Sequence, residues 1–123
     1  MEGKIKDFDD LEAWKKGHQL VLEIYKITKG FPKEEKFGVI DQLRRAVSSI
    51  TANIAEGFSR YHFNDKSRFY YQSRGSVSEV KNFILLSKDL GYIDQQKCEN
   101  LVAMTIEVQR LINGLIRSIG NQK

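Results

Sequence analysis

The sequence predicts an all-α protein, an antiparallel up-down four-helix bundle forming one domain over residues 1–123. Apolar residues recur at spacings of three, four and seven in four separate stretches. No stretch alternates apolar and polar residues around a hairpin turn. A single proline, Pro32, stands in 123 residues, so long helical runs are unobstructed. The connections expected between the stretches are about 2–8 residues, which makes neighbours antiparallel. Hydrophobic residues at 41% and charged residues at 29% suit a packed core and argue against disorder.

The first helix is expected over about residues 11–29. Asp9 or Asp10 caps it, because a carboxylate accepts the unpaired N–H groups of a first turn. Trp14, Val21, Ile24, Tyr25 and Ile27, with Thr28 alongside, form its apolar side. Gly30 and Pro32 end it. The second helix covers about 37–60, with Val39, Leu43, Val47, Ile50, Ile54 and Phe58 as one buried stripe. Ser48, Ser49, Ala52 and Ala55 are small enough to admit a close neighbour. Tyr61, His62, Phe63 and Asn64 read as a turn.

The third helix covers about 66–90, capped by Asn64 or Asp65 and ended by Gly91. Phe69, Val77, Val80, Phe83, Ile84 and Leu90 line it, and Ser73, Gly75 and Ser76 form a small-residue patch. The fourth covers about 94–119. Cys98, Leu101, Thr105, Val108, Ile112, Leu115 and Ile119 alternate three and four like a coiled-coil seam. Met104, Leu111 and Ile116 widen that stripe. Gly17 and Gly114 are expected at close helix contacts, and residues 1–6 and 120–123 are expected to fray.

Several chemistries lack their residues. A di-metal bundle needs Glu-x-x-His on two helices. Here Lys15 and Ser59 precede His18 and His62 by three, so no metal site is expected. Cys98 lies on an apolar seam and reads as a small hydrophobe, and no disulfide forms from one cysteine. His18 lies beside the first helix's apolar face and reads as a hydrogen-bonded interface residue. No glycine-rich loop follows a strand, so no cofactor cradle is expected. Apolar runs reach only four residues where a membrane span needs about 20. The N-terminus carries no secretory pattern, and a reducing cytoplasm is the expected compartment. Glu56 and Glu79 sit among small and apolar residues. They read either as a carboxylate pair or as groups that cap backbone or pair with Arg44, Arg45, Arg60 or Arg74.

Charge is distributed unevenly. Residues 1–36 are neutral, and the whole surplus of +4 falls on residues 37–123. Arg74, Lys81 and Lys88 share one line of the third helix, and Arg110 and Arg117 share one line of the fourth. Arg44, Arg45, Arg60, Lys66 and Arg68 gather toward the second and third helices. Tyr61, Phe63, Tyr70 and Tyr71 interleave with them. Basic groups neutralise phosphates and aromatic rings stack on bases. The same spacing also suits a solvated face with pairs such as Glu107–Arg110 or Asp65–Arg68.

Residues 37–50, Phe-Gly-Val-Ile-Asp-Gln-Leu-Arg-Arg-Ala-Val-Ser-Ser-Ile, followed by Asn53-Ile54-Ala55-Glu56-Gly57, resemble the signature of the 23S rRNA intervening-sequence protein family. Arg74-Gly75-Ser76-Val77-Ser78-Glu79-Val80 is similar to its second motif. Phe8, Leu11, Trp14, Phe31-Pro32 and Leu90-Gly91-Tyr92-Ile93 also match, so the resemblance spans about residues 8–118. Thr51 stands where the family often has proline, and Ser73 where alanine is common. The resemblance implies an up-down bundle assembled as a homopentamer. It extends to the accessory variability proteins of diversity-generating retroelements, which are basic pentamers that bind nucleic acid and a reverse transcriptase. Asn53, Glu56, Gly57, Gly75, Ser76 and Glu79 carry over as motif residues with packing and hydrogen-bonding roles.

The expected protein is thus a non-enzymatic oligomer binding RNA, DNA or a ribonucleoprotein through a basic surface of Arg44, Arg45, Arg74, Lys81, Arg110 and Arg117. The alternative is an adaptor with a protein partner, in which those arginines make subunit contacts.

Overall fold

The computed structural model describes residues 4–122, which carry the four expected helices. They are α1 (Glu12–Thr28), α2 (Val39–Ser59), α3 (Phe63–Asp89) and α4 (Gln95–Gln122). Short 3-10 turns at Phe8–Asp10 and Lys33–Glu35 precede α1 and α2, and there is no strand among the described residues. Each helix packs against its two neighbours in the ring α1, α2, α3, α4. The α1–α2 seam therefore lies opposite the α3–α4 seam.

The core is built from Leu20 and Ile24, then Leu43, Val47, Ile50 and Ile54, then Val77, Val80 and Ile84, then Leu101, Val108 and Ile112. The stripes of α2 and α4 fall where their spacing places them, with Phe58 and Leu115 only half-buried. Cys98 is buried on the α4 stripe. The α1 stripe differs. Its buried residues are Ala13, Gly17, Leu20, Ile24 and Thr28, while Trp14, Val21 and Ile27 are half-buried and Tyr25 is exposed. The cause is a close approach of α1 to α2: a Cβ on Gly17 would stand 3.1 Å from Thr51 Cγ2. Small residues occupy the contact, Leu20 and Ile24 fill the core beside it, and Trp14, Val21 and Ile27 lie on its flanks.

Serines do the same for α2 and α3. Ser73 Oγ donates to the Ile50 carbonyl at 2.8 Å, and the Ser76 and Ser49 hydroxyls meet at 2.9 Å. Asn53 donates to the Ser49 carbonyl and hydroxyl, completing the network. At the end of that contact Gly57 leaves room for the Tyr70 ring. Tyr70, which the periodicity of α3 did not select, is buried there, and burial pushes its phenol up to about 12. Gly75 and Leu90 are exposed instead, and Gly114 meets only the Arg117 side chain at 3.8 Å. Neither glycine is a helix contact point within this chain.

The helix starts also depart from expectation. Leu11 and His62 occupy the cap positions of α1 and α3, and neither start has a side-chain cap. Asp10 instead accepts the Lys6 and Asp7 amides and closes a capping box with Asp7 around the first 3-10 turn. Phe63 and Asn64, expected in a turn, already belong to α3. Gly91 does end α3: its φ is +83°, its amide bonds Lys88 O, and the Tyr92 amide bonds Ser87 O. Gly30 adopts no such positive φ. Residues 120–122, expected to fray, continue α4, while residues 1–3 and 123 lie outside the described residues.

The two upper connections are tied together. Tyr92 donates to Glu35 Oε2 at 2.6 Å, Glu35 Oε1 accepts the Val39 amide at 3.1 Å, and the Tyr92 ring packs on Phe31. The Tyr92 bond chiefly, and the Val39 amide next, hold the Glu35 carboxyl below its ordinary value. The same bond pushes the Tyr92 phenol up to about 12.

Candidate nucleic-acid interface

The six basic candidates do not form one surface. Arg44 lies on the α1–α2 seam. Its Nε donates to Thr28 Oγ1 at 2.9 Å, its Nη2 reaches the Tyr25 carbonyl at 3.4 Å, and its guanidinium stands 4.7 Å from the centre of the Tyr25 ring. The charge sits at the C-terminal end of α1, where unpaired carbonyls favour a cation. Arg45 projects into solvent from α2 and pairs with Asp41 at 2.9 Å.

The remaining four share the opposite flank. Arg74 Nη1 donates to Asn113 Oδ1 at 3.0 Å, which sets the register of α3 against α4. In that register Arg117 lies about level with Tyr70, and Lys81 with Ile106. A span of roughly 16 Å along the axis therefore holds all four. A seven-residue step turns a helix by only about 20°, so each pair faces one way. Arg74 is also 4.7 Å from the Tyr71 ring centre. Arg110 pairs with Glu107; this bond chiefly lowers the Glu107 carboxyl and raises the Arg110 guanidinium. Among the described residues, Arg74, Lys81 and Arg117 form no ion pair with a carboxylate. Their charges are left available to an anion.

A second basic group lies at the α2–α3 corner. The Arg60 and Arg68 guanidinium groups stand 4.8 and 4.7 Å from the centre of the Phe69 ring. Arg68 takes this ring in place of the expected Asp65 pair. Arg60 also pairs with Glu56 at 2.9 Å, and its Nε is buried without an acceptor. Lys66 Nζ donates to the Phe58 carbonyl at 2.7 Å and reaches that of Gly57 at 3.3 Å, closing the end of α2; burial lowers its pKa.

The carboxylate pair is not assembled. The Ser49–Ser76 and Gly57–Tyr70 contacts put Glu56 and Glu79 about ten residues apart along the α2–α3 axis, roughly 15 Å. Both are exposed. His18 stacks on Trp14 with ring centres 4.6 Å apart. Among the described residues no three His, Cys, Asp or Glu side chains gather as a metal site, and no helix is long and apolar enough to cross a membrane.

Asn113 was missed by the charge pattern, whereas Tyr71 is one of the aromatics that pattern interleaves with the basic residues. Asn113 lies three residues after Arg110 and four before Arg117, so helical spacing puts it between them. Its contact with Arg74 needed the α3–α4 register.

A search of curated proteins finds no match. A solved structure from Bacteroides thetaiotaomicron, a protein of unknown function from the S23 ribosomal protein family, is similar in fold. Its TM-score is 0.78 at 20% identity, covering 85% of this chain and 97% of that one. The family model described as "23S rRNA-intervening sequence protein" matches residues 9–114. That span contains α1, α2 and α3 whole and α4 as far as Gly114, and the chain belongs to this family.

Proposed function

We propose that this protein is a non-enzymatic, cytoplasmic, oligomeric bundle that binds RNA, DNA or a ribonucleoprotein through the α3–α4 flank. The observation that carries the reading is Arg74. It is held by a neutral amide, Asn113, and by the Tyr71 ring, so its position is fixed and its charge is not cancelled. Arg117 and Lys81, which form no ion pair with a carboxylate among the described residues, add charge beside it, and Arg110 adds a guanidinium shared with Glu107. A homopentamer, which the family resemblance suggests, would multiply the +4 of one chain to about +20, enough to steer an anionic partner. The separated Glu56 and Glu79, the buried Cys98 and the stacked His18 support a binding role over catalysis.

The test is a binding titration against RNA and DNA at two salt concentrations. Charge-driven binding weakens steeply with salt. Absence of binding at low salt would sink the reading.

A second reading, an adaptor oligomer for a protein partner such as a reverse transcriptase, is favoured by apolar side chains left at the surface. Phe37 is 86% exposed, and Leu86 and Leu90 lie exposed near the end of α3. Light scattering separates the two readings. Substituting Arg74 and Arg117 lowers nucleic-acid affinity at constant mass under the first, and changes the mass under the second.

A further inference from the structure

The α2–α3 corner and the first half of α3 carry cations and aromatic rings in alternation. From the corner outward the order is Tyr61, Arg60, Phe69, Arg68, Tyr71 and Arg74. Arg60 and Arg68 both stand against Phe69, and Arg74 stands against Tyr71. Arg68, Tyr71 and Arg74 follow one another at steps of three, so they are surface neighbours crossing α3 from its α2 side to its α4 side. The track thus ends at the Arg74–Asn113 pair on the α3–α4 flank. Tyr61 at its start is 88% exposed and meets the His62 ring at right angles, while Tyr71 is 48% exposed. Arg74 covers one face of the Tyr71 ring, and both tyrosines keep exposed area. A duplex hides its base faces and presents phosphates; a single strand presents both. Aromatic planes beside guanidinium groups are the surface that unpaired bases stack on.

From this we infer that the track from Tyr61 to Arg74 binds single-stranded nucleic acid, with Tyr61 and Tyr71 stacking on bases and Arg60, Arg68 and Arg74 meeting the phosphates. The inference rests on the nucleic-acid reading above and adds to it the class of strand and the stacking residues. Glu56 opposes it locally, because its carboxylate occupies Arg60. A phosphate must displace that carboxylate, so Glu56 acts as a brake.

The experiment measures binding of three labelled probes at low salt: oligo(U), oligo(dT) and a duplex of matched length. The expected result is that both single strands bind about tenfold more tightly than the duplex. Tyr61→Ala and Tyr71→Ala should each weaken single-strand binding by about tenfold and leave duplex binding unchanged. Tyr61→Phe keeps the ring and should retain affinity. Glu56→Gln should tighten single-strand binding. Thermal melts of the exposed-site variants confirm folding. Equal affinity for duplex and single strand, or unchanged binding by both alanine variants, overturns the inference while leaving the nucleic-acid reading standing. No binding of any probe by the wild-type protein overturns both.

Discussion

Arg44 and Arg74 make a matched pair on opposite seams of the bundle. Each guanidinium stands 4.7 Å from the centre of a tyrosine ring, Tyr25 for one and Tyr71 for the other. Their hydrogen bonds differ. Arg44 turns inward to the buried Thr28 hydroxyl and the Tyr25 carbonyl, joining α2 to the last turn of α1. Arg74 bonds a neutral side-chain amide, with Lys81, Arg110 and Arg117 on the same flank. Composition counts both as basic residues. Bonding partners tie the first into the α1–α2 seam and leave the charge of the second without a carboxylate among the described residues.

The largest effect is expected between the two seams, where α2 meets α3. A Cβ on Gly57 would lie 2.7 Å from Tyr70 Cε1. Gly57→Ala should lose about 2 kcal/mol by denaturant melt, since overpacking outweighs the better helix propensity of alanine. A variant as stable as the wild type would mean that the Tyr70 ring moves freely.

Next comes the direct contrast. Arg44→Ala removes a hydrogen bond and a stacked cation and should lose about 1 kcal/mol. Its nucleic-acid affinity should stay unchanged. Arg74→Ala should reverse that pattern, with a smaller stability loss and weaker binding. If Arg44→Ala were the variant that lost binding, the comparison would break. Arg45→Ala should be nearly silent, within about 0.5 kcal/mol, because its partner Asp41 is a solvent-exposed helical neighbour.

The smallest effect concerns acid stability at the far end. The folded Glu35 carboxyl titrates below its ordinary value, so its bonds stabilise the fold at neutral pH. That contribution is lost as pH falls through the lowered folded value. The wild-type melting temperature should therefore drop more steeply in acid than that of Glu35→Gln. Parallel curves would contradict the role assigned to the Glu35–Tyr92 bond.

The stripes of α2 and α4 were legible in the sequence because large apolar residues at steps of three and four mark the core directly. The α1 stripe was legible in part: Ile24, Thr28 and the close contact at Gly17 stand in the sequence pattern, while Ala13 carries little hydrophobic signal and the fully buried Leu20 was passed over for the flanking Trp14, Val21 and Ile27. Tyr70 was missed for a related reason: the space it fills is created by Gly57 on another helix. The caps at Asp9 or Asp10 and at Asn64 or Asp65 failed because helix starts depend on backbone geometry that residue type only biases. Within the candidate surface, heptad spacing correctly aligned Arg74 with Lys81 and Arg110 with Arg117. It gave no means to see that Arg44 faces the other seam. That separation is a property of the ring order of the helices.

On the proposed reading the α3–α4 flank, and not Arg44, meets an anionic partner. The most direct measurement is the salt dependence of nucleic-acid affinity for the wild type, Arg44→Ala, and the double variant Arg74→Ala with Arg117→Ala. A wild type that binds, an unchanged slope for Arg44→Ala and a slope smaller by about two phosphate contacts for the double variant are the predicted result. A double variant with the wild-type affinity and slope would contradict the account.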